Sequence, residues 1–97
     1  MEKLGKLSEL KEVNCINVGG KSLAVFKVKD KVYCTSKRCT HFWALLCKGN
    51  LNGYTLTCPW HGSEFDIRTG EVKKGPAKKP LETYPTKIKN GEVLVEV

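Results

Sequence analysis

Two short boxes constrain this chain more than anything else in it. Cys39-Thr40-His41 is followed by sixteen intervening residues and then Cys58-Pro59-Trp60-His61. Each box offers one thiol and one imidazole. Two matched loops imply one shared metal site, so the fold must bring them face to face. Thiolates suit iron-sulfur clusters, zinc and copper(I), whereas imidazole suits zinc, copper and iron, so donor type leaves several metals open. A structural zinc site of two Cys and two His usually pairs cysteine with cysteine at one end and histidine with histidine at the other. Here each end is mixed.

The rest of the chain limits what can surround such a site. Its 97 residues, 40% of them hydrophobic, suit one domain spanning 1–97 with a modest core and no separate catalytic domain. In a domain this small, a metal that crosslinks distant segments supplies part of the folding stability. Met1-Glu2-Lys3-Leu4-Gly5-Lys6-Leu7 lacks the apolar core of a signal peptide, and no apolar run approaches a membrane span. The expectation is a soluble, cytoplasmic protein with no membrane partner. Five cysteines are an odd number and are not spaced like a secreted disulfide framework. Cys15, Cys34 and Cys47 therefore read as small buried apolar residues in or near strands, Cys47 being the one most open to a redox role because it lies between the boxes.

Seventeen basic against ten acidic residues give a net charge of +7, which favours acidic partners. Nucleic acid is not among them: the lysines are scattered, arginine occurs only at Arg38 and Arg68, and no nucleic-acid-binding signature is present. The chain has no glutamine and is rich in Lys and Glu, a composition compatible with a heat-tolerant source.

Short stretches of Val, Ile, Leu and aromatics between turn signals predict an all-β domain with almost no helix. Residues 13–18 and 22–28 read as a hairpin across Gly19-Gly20, with Lys29-Asp30 turning into a strand over 31–35. That strand runs into the first box, and a strand over 54–57 runs into the second, which puts both boxes on loops at strand ends. Residues 64–67 form a return strand, Thr69-Gly70 a turn, and 75–80 an irregular loop. A last hairpin pairs 84–89 with 92–96 across Asn90-Gly91, which suits a type I′ turn.

With these residues in view, the C-x-H and C-P-W-H-G boxes resemble the signature of Rieske proteins, in which two His replace two Cys on one iron. The resemblance runs from Val32-Tyr33 through Leu46, Gly49, Leu51, Gly53 and Leu56 to Phe65-Asp66, Thr69-Gly70, Gly75-Pro76-Ala77 and Pro80-Leu81. It is closest in kind to the stand-alone Rieske ferredoxins. It implies a Rieske-like antiparallel β sandwich with a small cluster-binding subdomain of two loops, roughly 37–68. It also implies one 2Fe-2S cluster per chain. Cys39 and Cys58 would hold the buried iron, and His41 and His61 the outer iron, through which electrons enter and leave. The implied function is one-electron carriage by a monomer between a reductase and an oxygenase or other acceptor, with an acidic docking face on the partner and no catalysis of its own. No G-x-G-x-x-G fingerprint, P-loop or mononuclear-iron domain is present to suggest otherwise. A redox-sensing module and a structural zinc module are the alternatives.

Rieske centres span about −150 to +300 mV, and the surrounding residues set the position within that range. High-potential members carry an extra cysteine in each ligand loop, joined as a disulfide; Ala44 and Trp60 stand at those positions here. Phe65 replaces their tyrosine, whose hydroxyl bonds a ligand sulfur, while Ser63 matches their serine. The expectation is a low-to-intermediate potential typical of the disulfide-free ferredoxins. Phe42-Trp43 and Leu45 replace the glycine and proline common in the first loop, which makes it bulkier, and Trp43 is expected to pack at its base. Gly62 and Pro59 read as structural supports of the second loop. Loop 75–80 resembles the proline loop that covers the cluster, and Arg38, Lys48, Lys78 and Lys79 would rim that end.

Overall fold

The computed structural model describes residues 1–37, 45–59, 62–75 and 77–96. In chain order its strands are β1 (Glu2–Lys6), β2 (Val13–Val18), β3 (Lys21–Val28), β4 (Lys31–Ser36), β5 (Asn50–Asn52) and β6 (Thr55–Thr57). They continue as β7 (Glu64–Asp66), β8 (Val72–Lys74), β9 (Thr83–Tyr84), β10 (Thr86–Lys89) and β11 (Glu92–Val95). Short 3-10 turns at Leu7–Glu9 and Leu46–Lys48 are the helical pieces among the described residues. The strands form three antiparallel sheets, ordered β1-β11-β10, β2-β3-β4-β9 and β5-β6-β7-β8.

β3 explains how the sheets stack. Its residues Leu23, Ala24, Val25 and Phe26 are each 0% exposed. Successive side chains in a strand point to opposite faces, so an unbroken apolar run requires both faces to be covered. Leu23 and Val25 pack with Val18, Val32, Cys34, Val93 and Val95, the core shared with the β1-β11-β10 sheet. Ala24 and Phe26 pack with Leu46, Leu56, Cys58 and Phe65, the core shared with the β5-β6-β7-β8 sheet. The second layer is therefore a platform for the segment that carries the Cys/His boxes. Each fully buried Leu, Val or Phe of β3 contributes roughly 1.5–3 kcal/mol.

The expected β2–β3 hairpin, β4 and the two strands flanking the second box are present, as is the irregular course of the described part of loop 75–80. Asn90 at φ 52° and Gly91 at φ 75° have the positive φ pair that a type I′ turn needs. The segment 84–89 is not one strand, however. Thr83 and Tyr84 pair with Thr35 and Cys34 of β4, whereas Thr86–Lys89 pairs with β11. Pro85, which has no N–H to donate, marks the crossing from one sheet to the next. Thr86 Oγ1 secures it by donating to the Val32 carbonyl at 2.6 Å. β1, β5 and β8 were not expected from the sequence; the first two carry charges, Gly or Asn and become strands only because a partner edge is available.

The cysteines require a correction. Cys34 is buried, as expected, at 2% exposure. Cys15 is exposed and Cys47 half-buried, and the two form a disulfide with a Cα–Cα separation of 5.5 Å across 32 residues of sequence. They are not isolated core residues. This bond is distinct from one between positions 44 and 60, which Ala44 and Trp60 preclude.

Candidate metal centre

The base of the first box is built by β4 and the turn Leu46–Lys48. Ser36, the end of β4, donates its N–H to the Glu82 carbonyl at 2.9 Å. Leu46 N–H donates to the Lys37 carbonyl at 2.8 Å, which closes the neck of a loop that contains Cys39 and His41. Leu46 itself is fully buried, so the exit of the loop is anchored in the core.

The second box is the connection of the β6–β7 hairpin. Leu56 pairs with Phe65 and Thr57 with Glu64, and Cys58 N–H donates to the Ser63 carbonyl at 2.7 Å. Gly62 has φ 72°, consistent with its expected role in shaping this loop.

The two necks lie side by side. Asn50, at the start of β5, pairs with Thr57, the residue before Cys58. Between them Gly49 sits so close to β6 that a Cβ would run into the Thr57 carbonyl oxygen. The sequence assigned Gly49 only to the family resemblance; its absent side chain is what permits this approach.

Of the four expected donors, Cys58 is described, and it is 2% exposed among Leu46, Leu56, Phe65 and Ala77. Cys39, His41 and His61 lie outside the described residues, as do Arg38, Phe42, Trp43, Ala44, Trp60 and Pro76. The position of Cys58 at the neck of the second loop, beside the neck of the loop that bears the other Cys/His box, fits a metal ligand, and a thiolate buried there would need a cation to compensate its charge. Cys34 is the contrast. It belongs to the opposite core, and burial pushes its thiol up to about 12, so it stays protonated and inert.

Loop 75–80 is pinned over this end at two points. Ala77, 4% exposed, donates its N–H to Ser63 Oγ at 3.0 Å, and Ser63 is itself fully buried. Because the Ser63 oxygen accepts this bond, its own O–H remains a donor for another group. Leu81 N–H donates to the Gly70 carbonyl at 2.8 Å. Gly70 has φ 80°, and a Cβ there would meet the Leu81 carbonyl oxygen, so the position is closed to other residues on two counts. The expected turn at Thr69-Gly70 is thus also the anchor of the covering loop.

A charged turn supports the sheet beneath. The Asp66 carboxylate accepts from the Arg68 backbone N–H at 2.9 Å and from its Nε and Nη2 at 3.0 and 2.8 Å. These bonds to Arg68 hold the Asp66 carboxyl below its usual range. The guanidinium lies 4.2 Å from the Tyr54 ring centroid, and Tyr54 meets Tyr33 edge-on at 5.8 Å. Tyr33 is on β4, so the stack ties the loop-bearing sheet to the platform.

Lys48, Lys78 and Lys79 are exposed, and Leu45 is half-buried. Among the described residues no helix is long and apolar enough to cross a membrane.

Comparison with known proteins adds to this geometry. The Rieske [2Fe-2S] domain family matches residues 2–85. The ferredoxin component of the naphthalene 1,2-dioxygenase system of Pseudomonas putida is 37% identical over 82 residues, covering 84% of this chain and 79% of that protein. The ferredoxin of carbazole 1,9a-dioxygenase from Nocardioides aromaticivorans IC177 superposes with a TM-score of 0.92 at 30% identity, over 96% of this chain and 93% of that one. A chain from a complex of reduced oxygenase and oxidised ferredoxin in carbazole 1,9a-dioxygenase gives 0.91 at 36% identity, over 97% and 99%.

Proposed function

The chain belongs to the Rieske [2Fe-2S] family, and from that premise we propose that Cys39, His41, Cys58 and His61 hold its cluster within one domain spanning 1–97. The protein carries a Rieske-type 2Fe-2S cluster and is a one-electron carrier, not itself a catalyst. That identity displaces the zinc reading. Bound between the two loops, the cluster supplies reversible one-electron chemistry at a potential raised by its neutral imidazole ligands.

The chain's own residues hold and enclose it. Cys39 and Cys58 supply the two thiolates and His41 and His61 the two imidazoles. The neck bonds Leu46 to Lys37 and Cys58 to Ser63 fix where each loop begins and ends. The Ser63 hydroxyl, whose oxygen already accepts from Ala77, would have its O–H to donate towards a bound cluster, while the buried Phe65 has no hydroxyl to offer. The observation that carries the ligand assignment is the buried Cys58 beside the neck of the loop that bears the other Cys/His box.

The relatives' names support a partner class. One is a dioxygenase-system ferredoxin, and one solved structure joins a ferredoxin to an oxygenase. The acceptor here is accordingly an oxygenase component, and the donor a reductase. Exposed Lys48 follows the first loop, and exposed Lys78 adjoins the Ala77 latch, so the cluster end presents cations to an acidic docking face. The carrier works as a cytoplasmic monomer and takes neither nucleic acid nor membrane as a partner.

The test is reconstitution followed by visible absorption and reduced-state spin resonance. Wild type gives the Rieske spectrum, and His41→Ala and His61→Ala each lose it. An intact spectrum in either variant overturns the ligand set.

A further inference from the structure

The Cys15–Cys47 disulfide has no part in holding the cluster, yet it brackets the loop that does. Cys15 lies on β2, the edge strand of the platform sheet, opposite Ala24 of β3. Cys47 sits in the 3-10 turn through which the first ligand loop leaves, between buried Leu46 and exposed Lys48. The residues between the two cysteines, 32 positions apart, contain β3, β4 and the whole of that loop.

The two ends of the loop are held differently. Its entrance is the end of β4, fixed to β3 by a ladder from Leu23↔Ser36 to Val28↔Lys31. Among the described residues its exit has the buried Leu46 side chain, a backbone bond to Lys37, the pairing of Asn50 with Thr57 four residues on, and the covalent link to β2. Closing the bond therefore fastens both ends to one sheet. Because Cys15 is exposed, a dithiol can reach the bond, and exposed disulfides are the labile ones.

We propose that the Cys15–Cys47 disulfide is a redox-operated clasp on the first ligand loop: closed, it adds a covalent hold on the loop exit and slows cluster loss, and opened, it leaves the exit to its buried Leu46 and backbone bonds alone, so that the cluster is lost faster. The proposal rests on Cys39 and His41 being ligands, as assigned above. The clasp closes by thiol–disulfide exchange. The Cys15 and Cys47 thiols give up two electrons and two protons to a protein or small-molecule disulfide, which leaves as two thiols; a dithiol reverses the step and becomes the disulfide.

Holoprotein of wild type, Cys15→Ser and Cys47→Ser is prepared in oxidised glutathione. Thiol alkylation and peptide mass mapping read the bond, a chelator challenge followed by visible absorbance reads cluster retention, and melting of the apoproteins reads the fold. The expected result is a 15–47 linked peptide in wild type only. Both variants bleach roughly tenfold faster with an unchanged spectrum, and their apoproteins melt about 10–20 °C lower. Dithiothreitol applied to wild-type apoprotein reproduces the lower melting point and leaves the variants unmoved. Separate alkylated thiols at 15 and 47 in oxidised wild type, or equal bleaching rates in all three proteins, overturn the clasp. An intact Rieske spectrum in His41→Ala instead overturns the ligand assignment, and the clasp's effect on the loop with it, whatever the mass map shows.

Discussion

Ser63 is where one side chain serves two demands. Its oxygen accepts the Ala77 N–H, which pins the covering loop, and this leaves the hydroxyl hydrogen free to stabilise the extra negative charge of a reduced cluster. Removing a hydrogen bond of about 1 kcal/mol that favours the reduced state lowers a one-electron midpoint by roughly 40 mV. Ser63→Ala is expected to show that fall in a redox titration, and an unchanged midpoint removes the serine from the tuning set. The position was legible as a resemblance; its bond to Ala77 was not, because it joins residues 14 apart through a loop of no regular pattern. Asp66 gives a second prediction at this scale. Its carboxyl is held low by Arg68, so its contribution is present above the unfolded carboxylate value and is lost as pH falls through the lower folded value. The melting-point gap between wild type and Asp66→Asn is expected to be full at about pH 6 and to narrow as the pH falls below the ordinary aspartate value of about 3.9. A gap that stays constant over that range assigns the loss to something other than the carboxylate.

Between elements, what matters is how near β5 comes to β6. Gly49 lets the exit of the first loop pass against the Thr57 carbonyl, one residue before Cys58. Gly49→Ala forces the two necks apart at an overpacking cost of about 1–3 kcal/mol. Apoprotein melting is expected to fall accordingly and iron content after reconstitution to drop, whereas Gly53→Ala, where a Cβ meets nothing and the positive φ of 63° is the source of strain, lowers melting but changes iron content little. Equal iron content in both variants contradicts the spacing role of Gly49. Alternating and continuous apolar runs made β2, β3, β4 and β11 readable in advance, because those patterns follow from which faces are buried. Tyr84 and Thr86 read as one strand, since local pattern cannot reveal that Pro85 passes the chain between two sheets. The Cys15–Cys47 pairing was hidden for the same reason: cysteines 32 residues apart become neighbours only through the packing of the turn Leu46–Lys48 against β2. The two Cys/His boxes were visible locally as a mixed donor set, but donor type alone left several metals open, and it was the resemblance to the Rieske family, which matches residues 2–85, that pointed to the cluster.

For the molecule as a whole, charge decides how a carrier with a +7 excess meets its partners. Scattered lysines raise encounter rates with any acidic protein, but only those at the cluster end can favour a docked orientation in which that end faces the acceptor. Lys78 is exposed and adjoins the residue latched to Ser63, whereas Lys89 is exposed on β10, which belongs to neither box. Reversing charge at Lys78 should therefore slow electron delivery, and reversing it at Lys89 should not, although both variants change the net charge equally. Stopped-flow transfer to an oxygenase acceptor is expected to fall several-fold for Lys78→Glu at low salt. The difference should vanish as the screening length shrinks to about 3 Å at 1 M salt. Equal slowing by both variants would mean that net charge alone governs encounter, and the basic end would then be solvated surface with no orienting role.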